Sequence, residues 1–168
     1  MRPVRVTAPV GSVVGLTDLK THLRVDVQDE DELIQAYEAA AVSHLDGWRG
    51  VLGRCILEQE WAVTYEEAGC YRLPFPDVSA VTVLDAADAE VSYELTSDAI
   101  GWVIEIEAPA TVTMTCAMPS DALNAVKMIV KLMVAHWYSH REAVSDGSFS
   151  ELPLAVDALM RPLRSVGV

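Results

Sequence analysis

The sequence predicts an α+β fold, with N-terminal helices, a central antiparallel β-sheet, and a long C-terminal helix followed by a short apolar docking segment. Three observations predict it. Leu33, Tyr37, Ala41, Leu45 and Trp48 recur every three or four residues, the period of one buried helical stripe. Trp61, Val63 and Tyr65, then Trp102, Ile104 and Ile106, then Val112, Met114 and Cys116 alternate with more polar neighbours, the period of a strand with one wet face. From Ala122 to Tyr138 the chain is apolar nearly all round. Helices outside and strands between are the element order of an α+β domain.

Taken in order, Leu16–Leu23 reads as a short helix with Thr17 as its N-cap. Asp29, Glu30, Asp31 and Glu32 open a longer helix running to about Trp48. Carboxylates suit the positive end of the helix dipole, and Asp29 with Glu32 has capping-box spacing. Gly47, Gly50 and Gly53 end that helix. Leu73-Pro74-Phe75-Pro76 is extended, because each proline disfavours helix in the residue before it. Residues 78–84 and 91–95 are strand-like and joined by the turn 85–90 as a hairpin. Ser120 is the expected N-cap of the last long helix. In that helix only Lys127 and Lys131 mark a wet stripe; a helix apolar on most faces is buried on most faces, and a neighbouring subunit is one source of that burial.

With 168 residues, 51% hydrophobic and 22% charged, the chain has the size and composition of one folded domain. No signal peptide is expected, since Met1–Arg5 leads into no long apolar core. The most apolar run is shorter than a bilayer span and carries two lysines, so a soluble protein is expected. Cys55, Cys70 and Cys116 are odd in number and have no metal-like spacing, which reads as buried free thiols of a reducing cytosol. The net charge is −13, the wrong sign for gripping phosphate backbones. Between Leu73 and Val126 there are nine Asp and Glu and no Lys or Arg. A solvated sheet face accounts for them; a repulsive surface along a passage for DNA is the functional alternative.

No enzyme signature emerges. His136 and His140 are one helical turn apart, a spacing that can share a metal. The intervening Trp137, Tyr138 and Ser139 lack the glutamate of a zincin, and no third ligand is evident. Asp26, Asp29 and Asp31 lack the spacing and glycine of a calcium loop. Ser43-His44 and Ser139-His140 are not oriented as nucleophile and base. Gly47, Gly50 and Gly53 lack the Lys-Ser/Thr of a P-loop. No cofactor and no metal are expected.

Four blocks resemble phage head-tail connector (adaptor) proteins. They are residues 16–34; Gly53-Arg54 followed by Gln59-Glu60-Trp61; Arg72-Leu73-Pro74-Phe75-Pro76 with Val78-Ser79-Ala80-Val81; and Val134-Ala135-His136-Trp137-Tyr138, Arg141-Glu142 and the Leu152-Pro153-Leu154-Ala155-Val156 box. The chain departs from the family pattern in three places. It has no glycine between Asp85 and Glu90, Cys116-Ala117-Met118-Pro119 where a glycine-tyrosine loop is usual, and Leu163 where a tyrosine is.

The resemblance implies an adaptor domain over 1–145 and a portal-docking segment over 146–168. It implies a homo-oligomeric ring, usually dodecameric, under the portal protein of a DNA-filled head, with a tail-completion (stopper) protein below. DNA would pass through without specific binding, and no membrane is involved. Such adaptors occur in phages, prophages and gene transfer agents, at the head-tail junction of the particle and in host cytoplasm during assembly. Leu152, Leu154, Val156, Leu159, Met160 and Leu163 are the expected docking face, with Arg161 and Arg164 pairing to acidic portal groups. The alternative is that this apolar box folds back on the chain's own core. Two other functions compete: a cytosolic protein-binding module, and a metal-dependent hydrolase built on His136 and His140.

Overall fold

In the computed structural model, which describes residues 2–140 and 154–165, the apolar side chains collect into two clusters, one helical and one between sheets. The elements in chain order are β1 (Val4–Thr7), α1 (Leu16–Leu23), α2 (Asp31–Leu45), β2 (Gln59–Tyr65), β3 (Gly69–Arg72), β4 (Val78–Leu84), β5 (Tyr93–Ser97), β6 (Trp102–Ile106), β7 (Ala110–Cys116), α3 (Ser120–Ser139) and α4 (Leu154–Met160). A 3-10 turn, Arg161–Leu163, follows α4.

The helical cluster forms around α3. Val126, Ile129, Val130, Met133 and Val134 are its fully buried line, packed against Leu19 of α1, Ile34, Ala41 and Leu45 of α2, and Val156 and Met160 of α4. The burial expected of this helix is therefore supplied largely within the chain; Met128 stays 46% exposed. The buried line of α2 is Ile34, Glu38, Ala41 and Leu45, with Leu33 and Tyr37 only half-buried. The helix also ends at Leu45, short of Trp48, because the chain turns at Gly47 with φ of 77°. Gly50 is required by close approach: a Cβ there would lie 2.3 Å from the Leu45 carbonyl oxygen.

The expected caps are corrected. The N-cap positions are Gly15, Glu30 and Pro119, none with a side-chain capping hydrogen bond, whereas Thr17 and Ser120 lie inside their helices. Shifts of one or two residues are common at helix starts. The acidic first turn of α2 is present, and Asp31 takes the Lys20 ammonium at 2.5 Å.

The central strands form two antiparallel sheets where one was expected, in orders β1-β2-β7-β4 and β3-β6-β5. Trp61, Val63, Tyr65, Val83, Val112 and Met114 from the first face Leu73, Phe75, Ile104 and Ile106 in one apolar cluster. An inner face this apolar needs a covering layer, and the second sheet supplies it. The turn 85–90 forms, with Asp85 Oδ1 accepting from the Ala87 and Ala89 amides at 2.7 and 2.9 Å. Asp88 sits at φ of 60°, the left-handed conformation a glycine would otherwise supply. Beyond one Leu84–Glu90 bridge, however, β4 pairs with β7 and β5 with β6. The expected hairpin is thus a crossing from one sheet to the other.

Candidate functional site

The structure divides the expected docking face. Val156, Met160 and Leu163 are buried in the helical cluster and Leu159 is half-buried against it, while Leu154 is 87% exposed. Leu152 lies outside the described residues. Arg161 reaches Asp157 one turn back at 2.9 Å, and Arg164 reaches the same carboxylate at 3.5 Å; both arginines remain substantially exposed. The segment thus has an inner apolar face on its own core and an outer face carrying Leu154 and Arg161.

Arg54 holds this segment to the sheets. Its Nε and Nη2 donate to the two oxygens of Asp77, each at 2.6 Å, a bidentate fork that is mostly buried. Its Nη1 donates to the Leu163 carbonyl at 3.4 Å, and the Ser165 amide donates to the Leu52 carbonyl at 2.8 Å. The neighbouring Gln59 is also structural. Its side-chain amide donates to both oxygens of Asp46 at 3.0 Å, and its carbonyl accepts from the Trp61 indole at 3.1 Å. The motif residues Arg54, Gln59 and Trp61 therefore tie the helix-to-strand turn together.

Glu38 was not anticipated. It sits in the apolar line of α2, and its Oε1 accepts from the amides of Val13 and Val14 at 2.9 and 3.2 Å. A carboxylate at the fourth position after Ile34 was the available signal. Glu38→Leu would orphan two buried donors, so we expect a loss of about 2 kcal/mol in urea unfolding. Glu38→Gln, which keeps an acceptor, should lose less.

Beside Glu38 opens a groove of about 660 Å³ between β1 and α2, with Arg2, Arg5, Trp48 and Arg49 around it and Val42 and Leu57 among its apolar lining. The Arg5 guanidinium lies 5.7 Å from the centre of the Trp61 ring and 3.8 Å from Asp46.

The nine carboxylates of residues 73–126 have separate fates. Asp77 pairs with Arg54, and Asp98 with Arg72 in a second bidentate fork. That guanidinium, with the Ile100 and Gly101 amides, holds the Asp98 carboxyl well below the usual carboxylate range. Its contribution to stability is therefore present above that range and is lost progressively as the pH falls below it. Glu94 stands directly opposite Glu105 across β5 and β6, and Asp88, Glu90 and Glu107 are exposed.

The rings of His136 and His140 are 4.6 Å apart, and His140 Nδ1 lies 2.8 Å from the His136 carbonyl oxygen, so that ring is engaged by its own helix. Among the described residues no three His, Cys, Asp or Glu side chains gather as a metal site, and no helix is long and apolar enough to cross a membrane. Two of the three thiols are buried as expected, but Cys70 is exposed. A hydrogen bond with Cys116 and burial push the Cys55 thiol far above its ordinary value. Iodoacetamide on the native protein should modify Cys70 alone, and unfolding should release the other two.

No protein-family model matches the chain, and no curated protein matches it. Similar chains occur in solved structures, among them two from GTA particles. One is the neck of an empty GTA particle computed with C6 symmetry, at 22% identity and TM-score 0.71, covering 100% of this chain and 97% of that one. The other is the virion of a native gene transfer agent (GTA) particle, at 22% identity and TM-score 0.69, with the same coverage. At this identity the likeness establishes a shared fold over the whole chain.

Proposed function

We propose that this chain is a structural head-tail adaptor, a subunit of a ring between the portal of a DNA-filled head and the tail-completion proteins. The observation that carries this reading is the end-to-end fold likeness to a chain of a particle neck, with a TM-score of 0.71. The four sequence blocks that resemble adaptor proteins support it independently, because they span the helices, the turn and the strands. A dodecameric ring is compatible with the six-fold symmetry under which that neck was computed. The net charge of −13 suits a wall that DNA slides past without being trapped.

In this reading the outer face of α4, with Leu154 and Arg161, meets the portal, while Val156, Met160 and Leu163 hold the segment on the adaptor body. Many weak contacts of this kind, repeated around a ring, hold firmly together. Electron microscopy of particles from a producing strain lacking this gene tests the reading. Filled heads accumulating beside separate tails is the expected result; normal tailed particles would overturn it.

A further inference from the structure

We infer that the groove between β1 and α2 receives the acidic β4–β5 end of a second copy of this chain, a head-to-tail contact. The inference rests on the ring reading and names the surfaces that would build the ring.

The two surfaces lie at opposite edges of the molecule. The order β1-β2-β7-β4 puts β1 and β4 at the two ends of the larger sheet. The chain around β5 stays at the β4 end, where the Val91 amide donates to the Val83 carbonyl at 3.1 Å and the Tyr93 hydroxyl to the Val81 carbonyl at 3.3 Å. A contact joining opposite edges is heterologous: each copy offers one surface and receives the other. Such contacts close into a ring when the rotation per step permits.

Their charges are complementary. Arg2, Arg5 and Arg49 surround the groove in a chain with only 12 Lys and Arg against 25 Asp and Glu. Arg2 and Arg49 make no ion pair or side-chain hydrogen bond among the described residues. The carboxylates facing the groove, Glu38 and Asp46, are engaged by backbone amides and Gln59, and Asp46 also lies near Arg5. At the other edge, Asp88, Glu90 and Glu94 are exposed and make no ion pair among the described residues, and Glu94 stands opposite Glu105. Like charges directly opposite across a strand pair are unfavourable, and an incoming guanidinium relieves that repulsion.

The β1 edge itself is guarded against strand addition. Pro3 precedes it, and the register is broken between Arg5 and Thr7. Side chains must therefore make the contact. Trp48, 43% exposed beside Arg49, gives the groove the aromatic-plus-arginine composition of an energetic centre.

A charge swap in the full-length protein tests this. Wild type, Arg2→Glu with Arg49→Glu, and Glu90→Lys with Glu94→Lys are compared by light scattering in low and high salt, after circular dichroism shows that both variants are folded. Wild type should self-associate, more weakly in high salt. Each variant alone should lose at least about tenfold in self-affinity, since the substituted side chains then meet groups of their own charge. An equimolar mixture of the two variants should associate again, because both of its mixed contacts join opposite charges. Variants that associate as wild type does, a mixture that fails to associate, or a wild type that stays monomeric with the mixture would overturn the inference. In particles the two readings separate. If gene deletion abolishes tailed particles but the variants restore them fully, the adaptor reading stands and this interface falls. Tailed particles made without the gene would overturn the adaptor reading itself.

Discussion

Truncation after Ser150 should lower the melting temperature on the order of 10 °C. It removes Val156, Met160 and Leu163, all buried in the helical cluster against α2 and α3. Each buried side chain of this size contributes roughly 1.5–3 kcal/mol. The unfolded chain already buries part of that surface, and the order imposed on α4 offsets part of the gain. A net loss of a few kcal/mol moves the midpoint about 2–4 °C per kcal/mol in a domain of this length. Differential scanning calorimetry checks it: an unchanged midpoint would mean that α4 does not hold to its own core. The companion variant is Leu154→Asp with Arg161→Glu, both on the exposed face. It should leave the midpoint within about 2 °C, because exposed substitutions away from packed features cost little. On the proposed function it should also lose portal binding. The pair of variants thus separates the anchoring face of the segment from its docking face.

Arg54→Ala should destabilise the protein by about 3–5 kcal/mol in equilibrium urea unfolding. Removing one partner of a buried ion pair strands the other, and the Asp77 side chain is only 11% exposed. Arg54→Lys should recover only part of the loss, since an ammonium cannot reproduce the two-pronged contact with both carboxylate oxygens. The effect should also be less than additive with the truncation, because Arg54 donates to the carbonyl of Leu163 and the two changes share that contact. A loss under about 1 kcal/mol would show that the fork is a surface pair in solution.

Periodicity made the elements legible and left their partners open. The alternations at Trp61–Tyr65, Trp102–Ile106 and Val112–Cys116 are strands with the inner faces expected of them. The turn 85–90 was legible as a turn, but whether its flanking strands pair depends on what covers Val83 and Val112, and that cover comes from residues far along the chain. Four-residue strands such as β1 and β3 carry too few positions to show a period. Glu38 is the clearest case at the site. Local pattern argues against burying a carboxylate, and only the approach of Val13 and Val14 from 25 and 24 residues away makes it favourable. The docking box was legible as an apolar segment needing a surface to lie on. Which residues turn inward was not, because Val156 and Leu154 differ only in the side of one short helix they occupy.

By itself the sequence determined the α+β class, the positions of the long helices and the alternating strands, the net charge of −13 and the apolar character of the tail. These are properties of composition and of local period, set by neighbours within a few residues. The tertiary structure alone decided the division into two sheets, the Arg54–Asp77 fork beneath the tail, and the burial of Glu38. It also decided the separation of a basic groove from an acidic edge. Each of those depends on groups that meet only when distant segments pack, and their free energies arise from that meeting.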